Sequence, residues 1–289
     1  SEGEPKGVVL SHENIQANLA QMTTQVDFNQ RDIFFSSLPL FHAFGLTACV
    51  ILPVYHVIKT FIYSSSLHYR KVPNMIYECN ATIMFGADTF LAGYGRYAHP
   101  YDFYSIRYVF AGAEKLKDKT RKLWMEKFGI RIFEGYGVTE ASPVVSVNTP
   151  MQNKQGTVGN FLPGIRYEIE PVPEIKQGGR LLISGPNVML GYLSKELPGE
   201  VIPPSHGWYD TGDIVEVDTD GYLTIKDRAK RFAKISGEMI SLTAIENIIY
   251  DLWSDKHHAI LSIPDAKKGE QLILVTDHKL ATRQALIKF

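Results

Sequence analysis

The chain has 289 residues, of which 45% are apolar and 21% charged, and its 30 Lys and Arg residues nearly balance 31 Asp and Glu residues. This composition excludes a disordered chain, and the near-neutral charge gives no global field for nucleic acid or an anionic membrane. The apolar run at residues 44–54 is shorter than the roughly 18 residues of a membrane-spanning helix. Cys49 and Cys79 lie in apolar segments, so we expect buried, reduced thiols rather than a disulfide.

The first half of the chain alternates between predicted helices and strands. Ser11 is a predicted helix N-cap, followed by Ile15, Leu19 and Met22 at helical spacing. Strands that alternate with helices of about 10–15 residues are typical of βαβ units, so we predict an α/β fold with a parallel sheet flanked by helices. The predicted strands are 33–38, 57–63, 81–85, 107–110 and 131–133, and the predicted helices are 44–52, a helix closing at 75–79, 88–97 and 118–128.

The pattern changes after about residue 150, where short strands bounded by Gly and Pro begin. The D-T-D-G sequence at 218–221 favours a hairpin, and the region predicts a small antiparallel β subdomain. Three parts are therefore expected: a large domain at 1–226 whose N-terminal part is missing, a hinge at 227–230, and an incomplete small α+β domain at 231–289. The predicted elements are strands at 167–170, 180–184, 213–217, 222–226, 258–263 and 271–276, and a helix from a capping box at Thr243–Glu246 to Trp253.

Four motifs follow one another along the chain, and together they contain the groups that a nucleotide site needs. They are S-E-G-E-P-K-G at 1–7, G-Y-G-V-T-E at 135–140, Y-D-T-G-D at 209–213 and D-R-A-K-R-F-A-K-I-S-G at 227–237. Glycines let backbone N–H groups converge on an anion, and Lys6 adds a mobile positive charge. A surface turn is the alternative interpretation of residues 1–7, since G-K-[S/T] ahead of a helix is absent.

These motifs resemble those of the acyl-adenylate-forming (AMP-binding) superfamily, which includes acyl-CoA synthetases, luciferases and peptide-synthetase adenylation domains. The resemblance extends over essentially the whole chain. The segments at 1–12, 39–45 and 230–242 are more specific. They resemble the synthetase half of bifunctional bacterial 2-acylglycerophosphoethanolamine acyltransferase/acyl-[acyl-carrier-protein] synthetases.

The resemblance implies a role for several residues around the phosphates of ATP. Lys6, with the backbone of Ser1 and Gly3, would hold the β and γ phosphates. Glu140 would coordinate Mg²⁺ as a hard oxygen ligand, and the Thr139 hydroxyl would bind a phosphate oxygen.

The resemblance also implies a nucleoside site, made of an aromatic face for adenine, backbone groups for the base edge, and charged groups for the ribose hydroxyls. Each of these residues, taken alone, would also fit a core or turn position. Tyr136, with Gly137, would provide the aromatic face for adenine. The backbone of Gly112, Ala113 and Glu114 would contact the base edge, and Asp213 with Arg228 would bind the ribose hydroxyls.

Three further assignments follow from the resemblance. His42 corresponds to a position near the substrate carboxylate, with a satisfied core histidine as the alternative. Residues 85–87 and Phe90 are candidates for the wall of an acyl tunnel or, equally, for the core. Lys230 occupies the position of a hinge residue about which the small domain rotates.

The implied activity is ATP- and Mg²⁺-dependent activation of a fatty acid to an acyl-adenylate, followed by transfer to the thiol of acyl carrier protein. Coenzyme A is the alternative acceptor. A nucleotide-binding fragment without turnover is the alternative of another class. For the full-length protein we expect a cytoplasmic location at the inner face of the bacterial inner membrane.

Two departures from the superfamily pattern limit these expectations. Glu2 stands where many relatives have Thr, which places a negative charge beside the triphosphate. The superfamily's catalytic lysine lies in a C-terminal motif that this chain lacks, and Lys288 does not match it. We therefore expect the chain to be a fragment of a longer protein, possessing weak activity or none.

Overall fold

The computed structural model describes residues 6–173, 175, 177–194, 196–228, 231–235, 238–253, 256–265, 269–279 and 281. Ser1, Gly3 and Lys230, which have predicted roles, lie outside these residues. The chain divides into two compact units. Unit 1 comprises Ser1–Glu168, Leu182–Asp210 and Val217–Thr224, and unit 2 comprises Ile169–Leu181, Thr211–Glu216 and Ile225–Phe289.

Helices and strands alternate through the first part of unit 1, which confirms the predicted α/β class. A π-helical segment, Thr47–Ile51, joins its second and third helices. In chain order the elements are β1 (Val8–Val9), α1 (His12–Gln25), β2 (Ile33–Ser36), α2 (Ala43–Leu46), α3 (Leu52–Tyr55), β3 (Lys59–Ile62), α4 (Lys71–Cys79), β4 (Ile83–Gly86), α5 (Asp88–Tyr97), β5 (Tyr108–Ala111), α6 (Asp118–Phe128), β6 (Ile132–Gly137), β7 (Val144–Val147) and β8 (Asn160–Phe161).

Within the described residues, seven strands of unit 1 form one sheet in the order β3-β2-β4-β5-β6-β7-β8. The pairs from β3 to β6 are parallel, and β7 and β8 add antiparallel strands at the other edge. Phe34, Ile83 and Val109 are fully buried in the central strands. Runs of apolar residues are typical of parallel strands because helices cover both faces of such a sheet.

Local sequence signals explain how several helices begin and end. The Ser11 hydroxyl accepts the N–H of Asn14, and the Asn14 side chain accepts the N–H of Ser11, so the predicted cap of α1 is confirmed. Gly129 has a φ of 68° after α6, the left-handed conformation that glycine adopts without strain. Trp124 of α6 is fully buried, and its indole N–H donates to the Leu91 carbonyl at 2.8 Å.

The predicted single helix over 44–52 is wrong in one respect, because the segment is divided into α2, the π-helical segment and α3. Pro53 has no N–H to donate to the carbonyl of Cys49. That carbonyl instead accepts the Thr60 hydroxyl at 3.4 Å. The Cys49 carbonyl, which has no N–H four residues ahead to bond, therefore lies inside the π-helical segment.

The second half of the chain is dominated by short strands, as predicted. The D-T-D-G turn is confirmed: the N–H of Asp218 donates to Tyr222, and that of Gly221 donates to Asp218. In the described residues the further sheets have the orders β1-β11-β12, β14-β13-β10-β9 and β16-β15-β18-β17. The elements are β9 (Arg166–Glu170), β10 (Gly179–Ser184), β11 (Gly191–Leu193), β12 (Val201–Ile202), β13 (Tyr209–Val217), β14 (Leu223–Arg228), β15 (Phe232–Ile235), β16 (Glu238–Ser241), α7 (Leu242–Leu252), β17 (His258–Asp265) and β18 (Gly269–Thr276).

The helix α7 of unit 2 begins two residues earlier than the predicted capping box. The Ser241 hydroxyl accepts the N–H of Ala244 and donates to the Asp227 carboxylate at 2.6 Å. The Thr243 hydroxyl donates to the other oxygen of the same carboxylate at 3.1 Å, so it is not the cap. The buried carboxylate of Asp227 therefore binds the Thr243 hydroxyl, which the predicted capping box required as its N-cap. No helix in the described part of the chain is long and apolar enough to cross a lipid bilayer.

Candidate active site

The parallel strands of unit 1 place several predicted site residues at one edge of the sheet. His42 follows β2, Gly112–Glu114 follow β5 directly, and Tyr136–Gly137 are the last residues of β6. Gly112 and Tyr136–Gly137 lie at the carboxyl ends of β5 and β6, and His42 lies in the loop that leads from β2 to α2. In open α/β sheets that edge forms the ligand crevice. The structure therefore brings these separated segments of the sequence to the expected place for a bound ligand.

The loop after β5 presents backbone at this edge. Gly112 is buried, and a Cβ there would lie 3.3 Å from the Phe44 ring. Ala113 is exposed with a φ of 65°. The Glu114 carboxylate accepts both the N–H and the hydroxyl of Thr89, at 3.0 and 2.9 Å. Since the Glu114 side chain is engaged in fixing the loop, contact with a base edge would come from the loop backbone.

His42 is exposed, so the alternative of a buried core histidine is wrong. Its Nδ1 accepts the N–H of Phe44 at 3.2 Å and caps α2. In a neutral ring with Nδ1 as acceptor, Nε2 carries the proton and is a donor. Its neighbour Phe41 is 95% exposed.

Thr139 and Glu140 lie in a 3₁₀ turn that joins β6 to β7. Tyr136 of β6 pairs with Ser146 of β7, which extends the predicted strand 131–133 through the whole G-Y-G sequence. Thr139 is exposed and Glu140 is half-buried. The main-chain oxygen of Glu140 accepts the N–H of Met189 at 2.8 Å. The turn is thus held by backbone contacts while its two side chains remain at the sheet edge.

The Glu140 carboxylate is held by a tyrosine. The Tyr192 hydroxyl donates to Glu140 Oε1 at 2.5 Å, and the Tyr209 hydroxyl lies 3.5 Å from that of Tyr192. Burial, and then the hydrogen bond to the carboxylate, raises the pKa of Tyr192 to about 12. Burial, the Tyr192 contact and the charge of Glu140 also raise the pKa of Tyr209. Both phenols are therefore protonated hydrogen-bond donors at neutral pH.

Lys6 reaches the same cluster through strand pairing. Val8 of β1 pairs with Tyr192 of β11, and the N–H of Leu193 donates to the carbonyl of Gly7. This register places the Lys6 Nζ 5.0 Å from the centroid of the Tyr192 ring. Lys6 and Glu140, 134 positions apart in the sequence, are therefore joined through one aromatic residue. No role was predicted for Tyr192; the available signal was an aromatic residue directly after Gly191 in a segment rich in Gly and Pro.

A set of buried amides supports the turn that carries Glu140. The Asn18 side chain bonds both backbone groups of Val144, at 2.8 and 3.0 Å. Gln21 donates to the Asn187 side chain, and Asn187 donates to the carbonyl of Ala141 at 2.8 Å. The sequence prediction assigned only the apolar residues of α1 to its buried face. The repeat of amide side chains at Asn14, Asn18 and Gln21 was the signal that it left out.

The residues present fit a magnesium ion that arrives with a nucleotide. Among the described residues no group of three or more His, Cys, Asp and Glu side chains is arranged to hold a metal. Mg²⁺ in nucleotide sites is commonly bound by one or two carboxylates together with phosphate oxygens and water. One hard, half-buried carboxylate, Glu140, is consistent with that mode of binding.

In unit 2, Asp213 and Arg228 form a pair. Asp213 of β13 is 3% exposed, and its Oδ1 lies 3.3 Å from the Nε of Arg228 at the end of β14. The N–H of Asp213 donates to the hydroxyl of Thr211. The structure thus brings these two predicted residues together, and their role at a ribose stays a prediction.

An open α/β sheet with loops and a carboxylate at its carboxyl edge is typical of α/β ligand-binding proteins. A family model described as AMP-binding enzyme matches residues 1–193. The chain belongs to this family of AMP-binding enzymes.

Individual relatives agree with this assignment. Feruloyl-CoA synthase of an Amycolatopsis species is 31% identical over 282 residues, a match covering 93% of this chain and 56% of the relative. Long-chain-fatty-acid–CoA ligase of Salmonella typhimurium is 29% identical over 303 residues, with 99% and 53% covered. The chain spans about half the length of these curated relatives.

The fold is similar to that of o-succinylbenzoate CoA synthetase from Bacillus subtilis. Its complex with the acyl-adenylate intermediate superposes with a TM-score of 0.84 at 25% identity, covering 99% of this chain and 59% of that protein. Its complex with ATP and magnesium ion gives a TM-score of 0.83 at 24% identity, with 99% and 60% covered. These similarities confirm the predicted α/β architecture.

Proposed function

We propose that the protein activates a fatty acid with ATP and Mg²⁺. The fatty-acid carboxylate attacks the α-phosphate and pyrophosphate leaves. A thiol then attacks the carbonyl carbon of the acyl-adenylate and loses its proton, and the thioester forms as AMP leaves. The observation that supports this proposal most directly is the arrangement of Lys6 and Glu140 around Tyr192. In an AMP-binding enzyme, a cationic and an anionic group that contact the same tyrosine side chain suit a metal-bound polyphosphate.

The chain's own residues would act mainly by neutralising and orienting phosphate oxygens. Lys6 is exposed, and its ammonium group would bind an oxygen of the leaving pyrophosphate. The exposed Thr139 hydroxyl, in the same turn as Glu140, would donate to a phosphate oxygen. Mg²⁺ bound at Glu140 would supply further positive charge where negative charge develops. Fixed charges of this kind usually make the largest contribution to catalysis.

In this proposal the other predicted residues each have a role towards the base, the ribose or the substrate carboxylate. Tyr136 would stack on adenine, and the backbone at Gly112–Glu114 would contact its edge. Asp213 and Arg228 would bind the ribose hydroxyls, for which a carboxylate offers acceptors and a guanidinium offers donors. His42 would donate through Nε2 to the substrate carboxylate, with Phe41 against the start of the acyl chain.

The acceptor is proposed to be the thiol of acyl carrier protein, on the strength of the sequence segments at 1–12, 39–45 and 230–242. Coenzyme A is the competing acceptor, and the similarity to a feruloyl-CoA synthase and a long-chain-fatty-acid–CoA ligase supports it. Binding of nucleotide without turnover is the alternative of another class. An assay of each half-reaction separates the three possibilities.

The first test is exchange of labelled pyrophosphate into ATP by the full-length protein in the presence of a fatty acid, with ferulate as a second carboxylic acid. Exchange that requires both fatty acid and Mg²⁺ supports the proposal. Glu126→Gln, at an exposed position of α6, serves as the control for Glu140→Gln. Nucleotide binding without exchange would identify a non-catalytic module. Exchange with ferulate alone would contradict the fatty-acid assignment.

The second test presents preformed acyl-adenylate with either acyl carrier protein or coenzyme A. Selective formation of acyl carrier protein thioester supports the proposed acceptor. Selective formation of acyl-CoA would replace it with the competing one.

A further inference from the structure

Tyr192 contacts the two oppositely charged groups of the site with two different parts of its side chain. The Lys6 ammonium lies over the ring face, 5.0 Å from the centroid, where the aromatic quadrupole attracts a cation. The hydroxyl at the ring edge donates to Glu140 Oε1 at 2.5 Å. A hydrogen bond to a charged carboxylate is stronger than one between neutral groups.

This arrangement keeps Lys6 and Glu140 from neutralising one another. An ammonium and a carboxylate that share a partly desolvated site attract strongly, and a direct pair would occupy both groups. In the described part of the chain they share Tyr192 as a partner rather than forming an ion pair with each other. Each group is therefore already separated and oriented before a ligand arrives.

The position of Tyr192 is itself fixed from two sides. Its backbone pairs with Val8 in β1, and on its other side β12 pairs Tyr192 with Ile202. The preceding Met189 donates its N–H to the main chain of Glu140 at 2.8 Å. Tyr209 approaches the Tyr192 hydroxyl at 3.5 Å. A side chain supported in this way can hold its partner in one geometry.

We propose that Tyr192 is a positioning residue that separates Lys6 from Glu140 and thereby sets the affinity of the site for Mg²⁺ and for the triphosphate. The proposal rests on the function proposed above. The phenol holds Oε1 of Glu140, which would keep the carboxylate in one orientation for Mg²⁺, and the ring would hold Lys6 close to the phosphates. Groups that orient a metal-binding carboxylate typically change metal affinity by about 10–100-fold when removed.

Two substitutions separate the two contacts. Tyr192→Phe removes the hydroxyl and keeps the ring beneath Lys6, whereas Tyr192→Leu removes both. For Tyr192→Phe we expect ATP affinity in the presence of Mg²⁺ to fall about 10–100-fold. In EDTA its affinity for ATP should equal that of the wild type. Tyr192→Leu should weaken ATP binding both with Mg²⁺ and in EDTA. The affinities of the two variants are measured by titration calorimetry, provided that their circular dichroism spectra are unchanged.

Tyr222 offers a matched control. Lys154 lies 5.5 Å from the centroid of its ring, so the residue reproduces a lysine–tyrosine contact away from the Glu140 turn. Tyr222→Phe should leave ATP binding unchanged with and without Mg²⁺. Equal Mg²⁺ dependence in Tyr192→Phe and the wild type would overturn the proposal, as would a loss of the same size in the Tyr222→Phe control.

A measurement without nucleotide keeps this test independent of the proposed function. Lysines are reductively methylated with a ¹³C label, and the Lys6 resonance is assigned by its loss in Lys6→Arg. We expect an upfield ring-current shift that Tyr192→Phe retains and Tyr192→Leu removes. An unchanged Lys6 resonance in Tyr192→Leu would refute the contact. If the wild type shows this shift but binds no Mg²⁺–ATP, the proposed function fails while the separation of Lys6 from Glu140 stands.

Discussion

The side-chain amide of Asn18 bonds Val144 as a neighbouring strand would. Its Nδ2 donates to the Val144 carbonyl at 2.8 Å, and its Oδ1 accepts the Val144 N–H at 3.0 Å. Asn18 is fully buried. The helix that follows Lys6 is thereby attached to the strand that follows Glu140. The phosphate-binding and metal-binding parts of the proposed site therefore share one rigid support.

Asn18→Ala should lower the free energy of unfolding by about 1–3 kcal/mol, because the Val144 N–H loses its side-chain acceptor and the Val144 carbonyl keeps only the longer contact to the Asn187 amide, at 3.5 Å. Urea denaturation followed by circular dichroism measures the change. Gln16→Ala is the matched control, since Gln16 is exposed on the same helix and its replacement should be nearly neutral. A loss for Asn18→Ala no greater than that of the control would show that water replaces the amide.

The sequence predicted those features that depend on local signals. The Ser11 cap, the end of α6 at Gly129 and the D-T-D-G turn each depend on residues within a few positions of one another. All three are confirmed. The alternation of helices and strands also predicted the parallel sheet, because apolar periodicity reflects the burial of each element. Contacts between residues that are far apart in the sequence leave no comparable local pattern.

The parts that the sequence did not predict depend on contacts between distant segments. Lys6 meets the Tyr192 ring because β1 pairs with β11. Tyr192 meets Glu140 close to the backbone hydrogen bond from Met189 to Glu140. The buried amides of α1 look like an ordinary polar helix face until their partners, such as Val144, are known. Thr243 fits a capping box locally, but the carboxylate of Asp227 competes for its hydroxyl. In each case a distant polar group decides between two locally acceptable arrangements.

The two thiols should differ in reactivity. Both cysteines are free, as predicted, and Cys49 is fully buried while Cys79 is partly exposed. Burial disfavours the charged thiolate, and it raises the pKa of Cys49 to about 12. At pH 8 we expect iodoacetamide to leave Cys49 unmodified in the native protein and to modify Cys79 slowly. In guanidinium chloride both should react quickly, as peptide mass spectrometry would show. Equal native rates would contradict the burial of Cys49.

Glu140→Gln should abolish Mg²⁺-dependent pyrophosphate exchange in the full-length protein. The substitution keeps the side-chain shape and the acceptor for Tyr192 but removes the negative charge that a hard cation requires. Unfolding temperature and exchange rate are measured together, with Glu126→Gln as the control at an exposed position. Near-normal exchange by a folded Glu140→Gln variant would remove Glu140 from the metal site.

Asp213→Ala should weaken ATP binding by about 1.5–3 kcal/mol, the range for hydrogen bonds to a charged group. Asp213 is buried and lies beside Arg228. The substitution therefore also leaves a guanidinium without this carboxylate, and its effect on binding has to be separated from its effect on folding. Binding of 2′,3′-dideoxy-ATP makes that separation, because this analogue has neither ribose hydroxyl.

If Asp213 binds the ribose, its substitution weakens ATP binding and changes the binding of the dideoxy analogue little. A structural effect alone would weaken both nucleotides equally, and the ribose assignment would then be wrong. Arg228→Lys tests the partner: a lysine keeps the charge but loses the planar guanidinium donors. We expect Arg228→Lys to weaken the binding of ATP, by less than Asp213→Ala does, and to change the binding of 2′,3′-dideoxy-ATP little. Calorimetry with both nucleotides measures these affinities. A loss confined to the dideoxy analogue would contradict the assignment of either residue to the ribose.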